Sequence, residues 1–115
     1  WDKAKGQAAM EDILTKNPDL AGVFGSNDNM ALGAVEAIKN ANLSGKVLVV
    51  GFDANPDAAA AILAGDMAAS IAQSPTNMGK LGVESVLKLI QGGTLEAVVD
   101  TGTELVTKDN ADKYK

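Results

Sequence analysis

The 115-residue chain fits one compact domain, and its 46% hydrophobic content is enough to bury a core. Its net charge of −5 and its ten basic residues, all lysine, argue against nucleic acid, whose binding depends on phosphate neutralisation. With no histidine or cysteine, histidine acid–base chemistry, Ser-His-Asp triads, thiolate nucleophiles and structural zinc are excluded within the chain, and the lack of arginine makes it a poor candidate for bidentate anion recognition.

Any ligand is therefore expected to be neutral. Aromatics make up only 3% of residues, and alanine, valine and leucine carry the apolar load, as expected where helices pack closely on a sheet. The lack of cysteine leaves the compartment open. No stretch approaches the length of a membrane span and no signal peptide is visible. The chain opens on Trp1-Asp2 without a methionine, directly before a helical pattern, and the expectation is that a start has been cut away.

Residues 2–16 carry Ala4, Ala8, Ile13 and Leu14 at roughly helical spacing, and Asn17-Pro18 ends the pattern. Ala21 to Gly25 reads as a short strand, and Ser26-Asn27-Asp28 suits the cap of the next helix, about 29–41. That helix places Met30, Ala34, Val35 and Ile38 on one face. A turn over Asn42 to Lys46 leads to Val47-Leu48-Val49-Val50, a continuous apolar run expected to be covered on both faces. Pro56 suits the first turn of a third helix, which Gly65-Asp66 breaks. Met67 to Gln73 reads as another strand. A helix at about 76–91 follows, with Met78, Leu81, Val86, Leu89 and Ile90 expected inward, and Gly92-Gly93 stops it. Two strand candidates remain, Ala97–Asp100 and Glu104–Thr107, before a polar tail with room for a helical turn. Strands alternating with helices imply a three-layer αβα arrangement around a parallel sheet.

In such sheets ligands bind at the carboxyl ends of the strands. Three strand ends here run into polar residues: Asn27 with Asp28, then Asp53, then Gln73. Two amides and a carboxylate at one sheet edge match a polyol, whose hydroxyls each donate and accept. Asp28 reads more simply as a helix cap than as a ligand group. Asn27 has a second reading as a turn stabiliser, and Asp53 as a cap for the helix after Pro56. Trp1 offers the flat ring on which a sugar's C–H face stacks, against a reading as a core residue or a frayed terminus. Asp53 and Asp57 are more simply dipole-favourable acids than a metal pair. No phosphate-cradling glycine motif is present, and no cofactor is called for.

Asn27-Asp28-Asn29-Met30-Ala31-Leu32-Gly33-Ala34, Val49-Val50-Gly51-Phe52-Asp53 and Ile71-Ala72-Gln73 resemble, in order, motifs of the type I periplasmic sugar-binding proteins of the ribose, allose and galactose type. The stretch from Val99-Asp100-Thr101-Gly102 to Thr107-Lys108-Asp109-Asn110 resembles their C-terminus. Bacterial repressors of the lactose-repressor type share versions of the first two motifs, so the effector domain of such a regulator is the alternative. The resemblance implies a non-enzymatic substrate-binding component of an ABC sugar importer, periplasmic or extracellular, and lipid-anchored in a Gram-positive source. Its partners would be a monosaccharide and a membrane permease. By the same resemblance Asn27, Asp53 and Gln73 would bond sugar hydroxyls, and Trp1 would stack on the ring. Residues 1–73 would be part of the C-terminal lobe, 74–100 would cross to the N-terminal lobe, and 101–115 would return. One wall of the cleft is then carried here. The apolar face of the helix at 76–91 would need a substitute cover, with self-association as one route.

Overall fold

A computed structural model describes all residues, 1–115. The elements run helix Lys3–Lys16 (α1), strand Gly22–Phe24 (β1), helix Asp28–Asn40 (α2), strand Leu48–Phe52 (β2), helix Pro56–Ala64 (α3), strand Ala69–Gln73 (β3), helix Pro75–Ile90 (α4), strand Thr103–Val106 (β4) and a 3₁₀ turn Ala111–Tyr114. The four strands form one sheet in the order β1-β2-β3-β4. β1, β2 and β3 pair in parallel, Phe24 with Val50 and Phe52 with Ile71. The α/β class expected from the alternation is the one observed. No helix is long and apolar enough to cross a membrane.

Local chemistry accounts for the helix boundaries. The Asp2 carboxylate caps α1 by accepting from the Lys5 N–H at 2.8 Å. Pro56 opens α3, and the Asn55 side chain caps it by accepting from the Ala58 N–H at 2.9 Å. Asp53 therefore does not serve as that cap. Gly65, at φ 87°, ends α3, with its own N–H on Ile62 O and the Asp66 N–H on Ala61 O, a Schellman closure that a left-handed residue makes possible.

The chain divides into two compact units, residues 1–72 with 105–115, and residues 73–104. In the first, the core is built from small side chains: Ala31, Ala34, Ala37, Ala58 and Ala59 are buried with Val35, Ile38, Val49, Ile62, Met67 and Val106. Ala34, Val35 and Ile38 turn inward as expected, while Met30 on the same face is only partly buried. On α1 the buried residue is Met10; Ile13 remains partly exposed. Val49, Gly51, Ser70 and Ala72 share the buried face of the sheet. The opposite face is less covered, since Leu48 is 61% exposed and Phe24 is 59% exposed. The expectation that Val47 to Val50 is covered on both faces fails at Leu48.

The second unit holds α4 and the segment after it. α4 forms as expected, but none of its residues is buried. The inward placement of Met78, Leu81, Val86, Leu89 and Ile90 is thus not observed; amphipathic spacing sets which side is apolar, and burial needs a cover as well. Ala97–Asp100 is not a strand. Its valines suit one, but a strand exists only through a paired neighbour. Instead Asp100 accepts from the Gly102 N–H, and the Asn77 amide donates to Thr101 O at 3.0 Å.

Candidate functional site

The first two strands deliver their candidate residues through different devices. β1 ends at Phe24, and Asn27 follows as the cap of α2, its Oδ1 accepting from the Met30 N–H at 3.0 Å. Of the two readings of Asn27, the turn stabiliser is thus satisfied. The bond occupies Oδ1 and leaves the amide nitrogen as the group able to donate.

Asp28 is not the cap. It is the first residue of α2 and fully buried, with one carboxylate oxygen bonded to the loop after β2 and the other to β3. Oδ2 accepts from the Asn55 N–H at 2.7 Å, and Oδ1 accepts from the Ser70 hydroxyl at 2.7 Å. Ser70 Oγ in turn accepts from the Ala54 N–H at 3.1 Å. Desolvation raises the Asp28 pKa above its ordinary 3.8, the bonds from Ser70 and Asn55 oppose that shift, and nearby Asp53 adds to it. The N-terminal position on α2 favours the charge. Gly51 belongs to the same arrangement, for a side chain there would collide with Asp28 Oδ1.

The loop held in this way has an uncommon backbone. Asp53 lies at φ 104° and Ala54 at φ 53°, two adjacent non-glycine residues in the left-handed half of φ space. Such conformations cost on the order of 1–3 kcal/mol each and persist where surrounding contacts fix them. The Asp53 N–H also bonds Ile71 O at 2.8 Å. Asp53 itself is exposed, beyond the carboxyl end of β2.

Asn27 and Asp53 therefore stand on neighbouring loops at one sheet edge, linked through Asp28. Trp1 is 82% exposed, and the contacts of Gly6 with Met30 and of Gly33 with Lys3 and Gln7 set the first turn of α1 against the first turns of α2. Its core-residue reading does not hold. Gln73 is the last residue of β3 and the first of the second unit, half-buried and engaged in an interaction of its own. Asp57 lies in the first turn of α3, where its charge suits the helix dipole. No group of three or more potential metal ligands occurs. Two grooves lie elsewhere in the first unit. One of about 460 Å³ is lined by Leu14, Pro18, Ala37 and Leu43; another of about 160 Å³ is lined by Gly6, Met10, Phe24 and Met30. Neither is lined by Asn27 or Asp53.

Residues 1–94 match the family model described as periplasmic binding protein domain, and the chain belongs to that family. Its sugar-binding, type I branch is the one its relatives occupy. The chain is 43% identical over 108 residues to the ribose import binding protein of Escherichia coli, covering 94% of this chain and 36% of that protein. It is 37% identical over 93 residues to the D-allose-binding periplasmic protein of the same organism, covering 81% and 30%. Among solved structures, it resembles a periplasmic solute binding protein of an ABC transporter from Actinobacillus succinogenes with bound D-allose. There the identity is 37% and the TM-score 0.83, over 99% of this chain and 40% of that one. The chain spans about a third of the length of the curated relatives it matches.

Proposed function

We propose that this chain supplies one wall of a monosaccharide-binding cleft in the substrate-binding component of an ABC sugar importer. The observation that carries the reading is the Asp53 loop: an exposed carboxylate on a left-handed backbone, anchored from below by buried groups at a strand's carboxyl end. A carboxylate so placed accepts from two sugar hydroxyls, the Asn27 amide nitrogen donates to another, and Gln73 contributes a second amide. Trp1 stacks on the ring. Residues 74–100 cross to the other lobe and 101–115 return, so the sugar is enclosed from two sides. The role is capture by hinge closure, periplasmic or extracellular, with a membrane permease reading the closed form. It involves no bond-making step. Ribose and allose are the leading candidates because relatives of this chain are named for them. None of the three relatives named above is a regulator, and nothing favours the repressor-type reading.

Calorimetric titration tests this in two arms. The 115-residue chain alone binds D-ribose and D-allose more weakly than micromolar, and a micromolar or tighter affinity there overturns the one-wall reading. Full-length protein containing this chain binds one of them tightly. Asp53→Ala in that protein removes charge-assisted bonds worth about 1.5–3 kcal/mol, roughly one to two orders of magnitude in Kd. An unchanged Kd would remove Asp53 from the site.

A further inference from the structure

The polar group with the most consequential partners in the first unit is one that cannot touch a ligand. Asp28 is fully buried and both its oxygens are taken, by the Asn55 N–H and the Ser70 hydroxyl. It does not cap α2, because Asn27 does. Its bonds reach two elements distant in sequence, the loop after β2 and the middle of β3. Together with the Ser70–Ala54 bond they meet two consecutive N–H groups, Ala54 and Asn55, directly after Asp53. Ala54 is the second residue of the left-handed stretch and Asn55 the residue that follows it.

A backbone in this conformation relaxes unless its exit is fixed. Ser70 is uniquely suited to fix it through one atom, since its hydroxyl donates to Asp28 while accepting from Ala54. Gly51 keeps the space that the Asp28 carboxylate occupies. A buried carboxylate retained at a cost of desolvation, bonded to this loop directly at Asn55 and through Ser70 at Ala54, is a device for that loop. We propose that the buried Asp28–Ser70 pair is the positioning element of the candidate sugar site, holding the left-handed turn at Asp53–Ala54 and so setting where the Asp53 carboxylate stands. The inference rests on the reading of Asp53 as a sugar-binding residue only for its functional consequence; the geometry of the turn is testable without any sugar.

Amide hydrogen exchange followed by NMR on the 115-residue chain provides the first readout. In Asp28→Asn and in Ser70→Ala, exchange at Ala54 and Asn55 accelerates by roughly tenfold or more, as expected for the loss of a bond to a charged group, while amides of α2 and β2 keep their protection. Exchange at Ala54 and Asn55 unchanged within about twofold in both variants overturns the proposal. The second readout is a double-mutant cycle with Ala54→Gly, which relieves the strain at φ 53°. If Asp28 holds a strained turn, Asp28→Asn destabilises the chain less in the Ala54→Gly background. Equal destabilisation in both backgrounds marks a general packing role and overturns the proposal. In the sugar-binding full-length protein, Asp28→Asn raises Kd when Asp53 is present and adds nothing in Asp53→Ala. Should no sugar bind, the exchange and cycle results still decide the positioning role, and the failure then belongs to the reading of the site.

Discussion

Replacing Gly33 with alanine tests the packing that brings α1 to α2. Two effects oppose each other. Alanine is the better helix former, by about 0.8–1 kcal/mol in a helix interior. Yet a Cβ at position 33 would sit 2.7 Å from the Gln7 nitrogen and nearer still to the Lys3 carbonyl oxygen. Both are backbone atoms, so no side-chain rotation relieves the clash. To restore ordinary contact at 3.4 Å, the helices must part by at least about 0.7 Å along their closest line, at the Gln7 nitrogen alone. Gly6 makes the same kind of contact with the Met30 backbone, at 2.8 Å from its would-be Cβ, so the separation cannot be absorbed at one point. Overpacking costs typically 1–3 kcal/mol, and with backbone atoms on both sides of the clash the upper part of that range, about 2–3 kcal/mol, applies here, leaving a net loss of about 1–2 kcal/mol. For a chain of this size that lowers Tm by roughly 3–10 °C. Gly82 in α4 is the matched comparison, since a Cβ there meets nothing within 4 Å. Gly82→Ala leaves Tm unchanged or raises it. Scanning calorimetry on both variants decides the matter. A Gly33→Ala chain as stable as the parent would refute the idea that backbone contact, and not flexibility, requires glycine at this place.

Asn27→Ala removes the α2 cap and lowers stability by about 1 kcal/mol in urea unfolding, whereas Asn27→Ser keeps a capping oxygen and most of that stability. In a full-length protein that binds sugar as proposed, both variants lose the amide donor, so a serine variant that retains full affinity would confine Asn27 to capping. Asp28 sets a pH dependence of definite sign. Its folded pKa lies above 3.8, so between those values the folded chain holds more protons than the unfolded one, and acidification through that window stabilises the native state through this group. The stability of the parent minus that of Asp28→Asn therefore grows as pH falls through the window and is flat above it; a difference that shrinks instead would mean the bonds from Ser70 and Asn55 outweigh desolvation. On α4, Val83, Val86 and Ile90 are 63%, 57% and 77% exposed. Sedimentation velocity of the isolated chain is expected to show concentration-dependent association that Val86→Lys with Ile90→Lys abolishes.

Much of the first unit was legible because its signals are local. Alternating apolar runs, Asn17-Pro18, Pro56 and Gly65 each act within a few residues, and each boundary they indicate falls within two residues of the observed one. The failures share a different cause. Leu48 has the composition of a doubly covered strand, but whether a second layer lies over it is not a property of its own neighbourhood. The same holds for α4, whose spacing names an apolar side without supplying the surface to bury it. At Ala97–Asp100 the β-branched residues are present and the pairing partner is not.

The candidate site divides along the same line. Asn27, Asp53 and Gln73 announce themselves as polar residues at strand ends. Asp28 and Ser70 do not, because they lie 42 residues apart and meet only once β3 has been laid beside β2. Asn27 and Asp28 are also equally good capping residues by type, so composition cannot say which of them caps. Geometry does: the residue at the cap position bonds its own helix, and the next one, rotated toward the sheet, is free to bond the neighbouring loop. One helix start thus performs two tasks with adjacent side chains. The cap of α2 and the buried support of the loop after β2 come from consecutive residues, which is a physical reason for an Asn-Asp pair at this point rather than either residue alone.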